Sequence, residues 1–170
     1  DNKYTEEWKL QQQRGLLPLN IIFTGYIDTP QEAISKINLL INTSSFAESF
    51  GRTVAEAMAG CRPVIAYEWG ALNELIISGE TGYLAPYGDY ETIAKILLEL
   101  CEKPEKIIGM GINARAHVES NYSHTVLEQN LNHALTTIFN ETARNKKSRV
   151  STTIVIPVYN APIEVVQCLE

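Results

Sequence analysis

The sequence has few cysteines and no long hydrophobic run, and each absence excludes a class of protein. Its three cysteines, Cys61, Cys101 and Cys168, are odd in number and show no CxxC spacing. This argues against a disulfide framework or a zinc site and indicates a reducing compartment. No apolar run reaches roughly 18 residues, and no basic stretch precedes a hydrophobic one, so neither a membrane span nor a secretory signal is predicted. Together these absences predict a cytoplasmic protein.

Positive charge is also in short supply. The chain has 14 Lys and Arg residues against 20 Asp and Glu residues, a formal net charge of −6. A general nucleic-acid surface is therefore excluded, and any recognition of phosphate must be local. Four of the cations lie within residues 144–149. They would allow peripheral contact with an anionic inner membrane surface, although a solvated linker is the simpler interpretation.

Two motifs of cofactor chemistry are absent as well. No GxGxxG string follows a first strand, which argues against a nicotinamide-dependent oxidoreductase. The three histidines, His117, His124 and His133, form no HExxH or similar arrangement, and solvated or core-edge histidines are the simpler explanation. The sequence thus predicts neither a metal site nor a cofactor.

What is present is ordinary globular composition, with 45% hydrophobic and 20% charged residues, enough for one domain with a real core. Helical and strand patterns alternate up to Asp89, which predicts an α/β fold with a Rossmann-like parallel sheet and flanking helices. The predicted strands are residues 20–25, 38–42, 63–66 and 83–85, and the predicted helices are 5–14, one opened by a capping box at Thr29 and Glu32, one after Gly51, and 72–78 ended by Gly79. Beyond Asp89 the pattern is helical only, with helices around Ile93, from Pro104 and from Ser123, the last capped by the pair Thr125 and Glu128.

The most informative segment holds two carboxylates, Glu48 and Glu56, with Gly51 between them. It follows an apolar run ending at Asn42 and a polar loop, which places it at the carboxyl edge of the predicted sheet, where open α/β sheets bind ligands. Gly51 lets backbone approach a ligand, and the helix after it offers unpaired N–H groups and the positive end of its dipole to a phosphate.

Glu56 falls one turn into a helix of small and apolar residues, where a carboxylate needs hydrogen-bond donors. The paired hydroxyls of a ribose would supply two, and Glu48 would lie roughly 12 Å away at a helical rise per residue. That spacing suits a ligand with a sugar at each end and a diphosphate between. The alternative is that Glu48 is only a helix N-terminal acid and that Glu56 pairs with a cation from another segment.

Residues 48–66 as a whole resemble the signature of the retaining GT-B glycosyltransferases of family 4, also called group 1. Residues 22–27 are similar to that family's strand and turn facing the nucleotide base, and residues 68–76 and 79–89 are similar to its last βα units. The resemblance covers residues 1–140 and implies a donor-binding C-terminal domain. Ser49 stands where many relatives have proline.

The resemblance also implies roles for individual residues. Glu48 would contact the donor sugar and is the candidate catalytic residue, and Glu56 would bind the nucleotide ribose. The expected donor-binding set is Tyr26, Glu48, Ser49, Phe50, Gly51, Arg52, Thr53 and Glu56. An exposed, flexible Arg52 is nevertheless the simpler interpretation of that cation. The donor is a nucleotide-diphosphate sugar, used as substrate, and the implied reaction is retaining transfer of a hexose to an acceptor hydroxyl.

This sequence departs from the family pattern in two places, and both limit the interpretation. Residues 1–4 lead directly into a helix, so the domain is expected to be truncated and to lack the family's acceptor-binding domain and the basic pair that neutralises the diphosphate. Weak donor binding and no turnover by this polypeptide alone follow from that expectation. After a linker at 141–150, residues 151–170 resemble the opening strand of a family-2, GT-A-type glycosyltransferase. A stray final strand of the first domain is the alternative.

Other functional classes remain open at this level. A nucleotide-sugar epimerase built on the same two-domain plan would carry its acid and base residues on both faces of the sugar, partly in another domain. A non-catalytic nucleotide-sugar-binding module is expected to have lost one of the two glutamates, and both are present here.

Overall fold

The computed structural model describes residues 3–144, with side chains for residues 5–141. The chain divides into two compact units, residues 1–126 and residues from 127 onward. In chain order the elements are α1 (Lys3–Gln13), α2 (Pro30–Ser35), β1 (Leu40–Asn42), α3 (Arg52–Ala59), β2 (Val64–Tyr67), α4 (Leu72–Leu75), β3 (Gly82–Ala85), α5 (Tyr90–Glu102), α6 (Pro104–Tyr122) and α7 (His124–Arg144). Among the described residues no helix is both long and apolar enough to cross a membrane.

The three strands form one parallel sheet in the order β1-β2-β3. Leu40 lies opposite Val64, and Val64 opposite Gly82, so the three carboxyl ends meet at one edge. All four residues of the central strand β2 are buried, as expected of a strand covered on both faces. The predicted α/β architecture with flanking helices and a helical C-terminal segment is confirmed.

Alternate residues of β2 lie in two separate hydrophobic clusters. Val64 and Ala66 pack with side chains of α3, α4 and α6, whereas Ile65 and Tyr67 pack with α5 and with Met110. Because successive side chains of a strand point to opposite faces, the sheet is sandwiched between two helical layers. Gly111 allows α6 to pack directly on the backbone of Cys61, since a Cβ at residue 111 would overlap the Cys61 carbonyl oxygen.

The strand predicted at 20–25 is wrong. Residues 21–27 form no helix or strand, and Ile22 is 81% exposed. The amide of Gln12 donates to the carbonyls of Pro18 and Ile21 and holds this segment against α1. Among the described residues no strand pairs with the segment, and an apolar run without a pairing strand is not stable as a strand.

The helix predicted at 72–78 is shorter than expected. α4 ends at Leu75, and Ile76 is extended. The Thr81 hydroxyl accepts a hydrogen bond from the Ile77 N–H at 2.9 Å, and the Thr81 N–H donates to the Ile77 carbonyl. This side-chain acceptor takes the place of the next helical carbonyl. Gly79, predicted to end the helix, instead lies in the turn that leads into β3.

Two caps predicted from sequence have different outcomes. The Thr29 hydroxyl accepts from the Glu32 N–H at 3.2 Å and Pro30 occupies the first turn of α2, as predicted. The Glu32 carboxylate, however, accepts from Lys36 Nζ at 2.6 Å, where the predicted capping box required the Thr29 N–H. At α7 it is the Ser123 hydroxyl, not that of Thr125, that accepts from a helical N–H, that of Val126. α7 then continues to Arg144, so the first four residues of the predicted linker are helical; the rest of it and residues 151–170 lie outside the described residues.

Asp89 caps α5 and gives the fold a pH-dependent contribution. The Asp89 carboxylate accepts hydrogen bonds from the Thr92 hydroxyl and from the Thr92 N–H. These bonds, the hydroxyl's above all, hold the pKa of Asp89 below its ordinary value of 3.8. The stabilisation is therefore present above pH 3.8 and is lost as the pH falls through the lowered pKa. We expect Asp89→Ala to lower the melting temperature at neutral pH, with the difference from the native chain narrowing in acid. Asp28→Ala, in an exposed loop, is the control, and an equal loss at all pH values would contradict the prediction.

Candidate functional site

The loop between β1 and α3, residues 43–51, is called the site loop here. It leaves the sheet at its carboxyl edge, where the Asn42 carboxamide oxygen accepts from the Ser44 N–H at 3.1 Å and turns the chain. This is the edge that the sequence predicted. The loop carries Glu48, Ser49, Phe50 and Gly51.

Gly51 joins the site loop to α3 in a left-handed conformation with φ +87°. It is buried, and a Cβ in its place would lie 2.6 Å from Leu72 Cδ2. Gly51 offers no side chain to cap the helix, and the first helical hydrogen bond runs from the Ala55 N–H to its carbonyl. The first turn of α3, with the amides of Arg52 and Thr53, is therefore left uncapped by a side chain and can bind an anion.

Glu48 is held in place through its backbone by the loop that follows β2. The Ala71 N–H donates to the Glu48 carbonyl at 2.9 Å. Gly70, with φ +62°, lies so close that a Cβ would be 2.5 Å from the Glu48 oxygen and 2.8 Å from its nitrogen. The side chain of Glu48 is half-buried. The loop after β2 thus fixes the position of the Glu48 backbone, from which the carboxylate extends.

Phe50 is braced by the end of α6. Its ring meets that of Tyr122 edge-to-face with centroids 5.7 Å apart, and the Tyr122 hydroxyl donates to the Glu74 carbonyl at 3.2 Å. Glu74 lies in α4, whose Leu72 and Leu75 pack against Gly51. Tyr122 therefore contacts the site loop at Phe50 and also α4 at Glu74, and so links the loop to the helix that packs against Gly51.

Glu56 is less buried than the composition of its helix predicted, with 34% of its side chain exposed. Its hydrogen-bond donors come from Arg52, one turn earlier on the same helix, at 3.1 and 3.3 Å. Arg52 is 83% exposed, in agreement with the interpretation of a flexible surface arginine. An exposed pair of this spacing contributes only about 0.3–0.5 kcal/mol, so a ligand can displace it at little cost.

An apolar cleft of ≈ 560 Å³ opens between α2, α3 and residues 22–27. Thr53 and Glu56 form part of its wall, which makes the cleft continuous with the first turn of α3. Tyr26 lies beside it but is 88% exposed and does not line it; Thr24 and Ile27 do. The remaining lining residues are Ile22, Pro30, Ala33, Ile34, Lys36, Ile37, Leu40 and Ala57.

The structure thus brings the predicted residues from Glu48 to Glu56 to one edge, with Tyr26 on the margin of the adjoining cleft. Sequence reasoning missed Gly70 and Tyr122, which position the site loop, and the cleft residues Thr24 and Ile27. Only the motif similarity at 68–76 marked the region of Gly70. Within residues 3–144 no cluster of three or more His, Cys, Asp or Glu residues is arranged to hold a metal ion.

Known proteins share both the sequence and the fold of this region. Residues 1–103 match the family described as "Glycosyl transferases group 1". The lipopolysaccharide core biosynthesis mannosyltransferase LpcC of Rhizobium leguminosarum bv. viciae is 32% identical over 103 residues, 61% of this chain and 29% of that protein. The chain therefore spans less than a third of this relative's length.

Two solved structures extend the similarity. The Anabaena protein Alr3699/HepE in complex with UDP-glucose superposes with a TM-score of 0.68 at 27% identity, covering 79% of this chain and 37% of that one. The C-terminal domain of a glycosyl transferase group 1 family protein (LpcC) from Francisella tularensis gives a TM-score of 0.59 at 29% identity, covering 71% of this chain and 63% of that one. These neighbours disfavour the epimerase interpretation, and the match over residues 1–103 establishes the family: the chain belongs to the group 1 glycosyltransferases.

Proposed function

We propose that this chain is the donor-binding part of a retaining glycosyltransferase that moves a hexose from a nucleotide-diphosphate sugar to an acceptor hydroxyl. The observation that carries the proposal is the meeting of the site loop, the uncapped first turn of α3 and Glu56 at one edge of the parallel sheet. The UDP-glucose bound by the Anabaena neighbour supports a sugar nucleotide as the donor.

Glu48 contacts the donor sugar in this proposal. Its backbone is fixed by the neighbouring residues Gly70 and Ala71, and its half-buried side chain can accept hydrogen bonds from sugar hydroxyls. A carboxylate held this way positions the sugar for reaction. It acts in place, without need to form a bond to the sugar itself.

The diphosphate lies against the first turn of α3. The amides from Phe50 to Thr53, together with Ser49, hold its oxygens, since N–H groups at a helix start point toward an anion. Between residues 43 and 55 the sequence carries one cation, Arg52. Two phosphate charges resting on amides and one exposed arginine are incompletely balanced, which gives weak donor binding by this polypeptide alone.

Glu56 binds the ribose, and the base enters the adjoining cleft. Once a ligand displaces Arg52, the Glu56 carboxylate accepts from the two ribose hydroxyls, and the guanidinium can turn toward the phosphates. The cleft begins at Glu56 and is lined by apolar residues, as suits the faces of a flat base. Tyr26, on its margin, contacts the base from outside.

Catalysis follows from where charge develops. As the glycosidic bond loosens, positive charge grows on the sugar and negative charge on the departing diphosphate. The oriented amides near Gly51 stabilise the leaving group without reorganising, which is the dominant contribution in such sites. Groups that take the proton from the acceptor belong to the acceptor-binding domain.

The fraction of each relative that is matched supports a longer polypeptide, with residues 1–140 as the donor domain and an acceptor domain as partner. In this proposal the linker is confined to residues 145–150, after the end of α7, and residues 151–170 begin a second, GT-A-type transferase. The chain alone has no turnover, uses no metal or other cofactor, and acts in the cytoplasm, peripherally at the inner membrane surface if its basic segment contacts lipid.

A titration of the chain with UDP-glucose, followed by amide NMR signals, tests the donor site. We expect binding in about the millimolar range, near −4 kcal/mol, because the diphosphate charge is incompletely balanced. The largest shifts are expected at Gly51, Arg52 and Thr53. Glu56→Gln should weaken binding, whereas Glu102→Gln, an exposed carboxylate at the end of α5, should not.

Two results would count against this assignment. Shifts that leave the first turn of α3 untouched would refute the site. Micromolar affinity would refute the prediction that a further cationic element is needed for tight binding.

A further inference from the structure

Two aromatic rings form a stacked pair just beyond the ends of neighbouring strands. Trp69 follows β2 and Tyr87 follows β3, each two residues past its strand. Their ring centroids are 4.7 Å apart at an interplanar angle of 28°. Trp69 is 37% and Tyr87 52% exposed. We call this pair the aromatic platform.

The platform is supported from beneath. Tyr67, the last residue of β2, is 8% exposed and meets the Tyr87 ring edge-to-face with centroids 5.3 Å apart. The Glu68 N–H donates to the Ala85 carbonyl at 2.7 Å and ties the two strand ends together. The rings therefore hold a fixed orientation while more than a third of each residue stays exposed, which is unlike an incidental surface aromatic.

The platform adjoins the site loop. Trp69 directly precedes Gly70, whose backbone packs on that of Glu48. Across the sheet the order is site loop after β1, Trp69 after β2 and Tyr87 after β3, so Trp69 follows the strand next to β1 and Tyr87 follows the strand beyond it. Neighbouring strands lie about 4.8 Å apart, which is close to the width of one sugar ring.

The local chemistry favours a neutral, hydroxyl-rich ring. The charged residues of the two strand-end loops are Glu68 and the helix-capping Asp89, and Glu48 lies on the other side. Carboxylates repel phosphate but accept hydrogen bonds from hydroxyls, while the aromatic faces pack against the C–H face of a pyranose. The first turn of α3, in contrast, suits the anionic part of the donor.

We infer that the aromatic platform binds a pyranose ring of the saccharide acceptor, next to the donor sugar; this rests on the proposed function of the site loop. Trp69 and Tyr87 then set which acceptors fit, by stacking on the ring that precedes the reacting hydroxyl. The donor domain thereby contributes to acceptor recognition as well as to donor binding.

Tryptophan fluorescence tests this directly. The chain has two tryptophans, Trp8 and Trp69, so in a Trp8→Phe background the emission reports Trp69 alone. The probes are maltotriose, mannotriose and chitotriose, which carry no phosphate. We expect a saturable change in emission with at least one trisaccharide, and roughly three- to tenfold weaker binding in Tyr87→Leu. Tyr90→Leu, which removes a more exposed tyrosine three residues on, should bind as the Trp8→Phe protein does.

The outcomes separate this inference from the donor site. No saturable change with any of the three probes, or equal binding by Tyr87→Leu, overturns the platform. UDP-glucose shifts at Gly51 to Thr53 should persist in Tyr87→Leu, so their persistence beside a silent platform leaves the proposed function standing. Trisaccharide binding without UDP-glucose shifts would remove the donor assignment and, with it, the acceptor role, leaving a carbohydrate site only.

Discussion

Glu48→Gln in the full-length transferase is expected to lower kcat/KM by about 100-fold or more, chiefly through kcat. The carboxylate is fixed by Gly70 and Ala71 beside the sugar on which charge develops, and groups placed at such a position typically contribute about 10²–10³-fold. Glu56→Gln is expected to act differently. Because Glu56 holds the ribose equally in substrate and transition state, its loss should raise the KM for the donor with kcat little changed.

Steady-state kinetics with varied donor concentration separate the two effects. Glu102→Gln, an exposed glutamate at the end of α5, is the matched control and should retain native kinetics. Thermal melts should show every variant folded, since the Arg52 to Glu56 pair contributes only about 0.3–0.5 kcal/mol. A native kcat in Glu48→Gln together with a native donor KM in Glu56→Gln would reject the assignment of the site.

Gly70→Ala is expected to be the most destabilising of the substitutions considered. Gly70 has φ +62°, and alanine in such a conformation costs about 1–2 kcal/mol. The Cβ of an alanine at residue 70 would also lie 2.5 Å from the backbone carbonyl oxygen of Glu48 and 3.1 Å from the Ala47 carbonyl carbon. Both atoms are backbone, so relief requires movement of the whole site loop, at a further cost of about 1–3 kcal/mol.

Gly79→Ala separates the conformational cost of alanine at a positive φ from the steric cost of a clash with the site loop. Gly79 also has a positive φ, +87°, but a Cβ there would meet nothing within 4 Å. Its melting temperature should therefore fall by the conformational cost alone, and that of Gly70→Ala by at least about twice as much. Amide signals of residues 47–51 should shift only in Gly70→Ala. Equal losses in the two variants would show that Glu48 is not held by this contact.

The parallel sheet and its edge could be predicted from sequence because they depend on local patterns. Buried strands such as β2 are continuous apolar runs, and Thr29 with Glu32 marks a helix start whatever lies around it. Predictions from local sequence patterns were wrong where contacts with other parts of the chain determine the secondary structure. Residues 20–25 are apolar enough for a strand but have no pairing strand among the described residues, and α4 ends early because Thr81, from beyond the helix, captures the Ile77 N–H.

The candidate site likewise has features that local sequence predicts and features that depend on tertiary contacts. The sequence by itself determined the family, the carboxyl edge, and the start of α3 at Gly51, because a glycine between a polar loop and a helical pattern specifies its own backbone conformation. Only the tertiary structure decided how the site loop is held, with Gly70 packed on Glu48 and Tyr122 bracing Phe50. Both contacts join residues far apart in the chain, and a residue's partner at long range is set by how helices and strands pack, which no local pattern encodes.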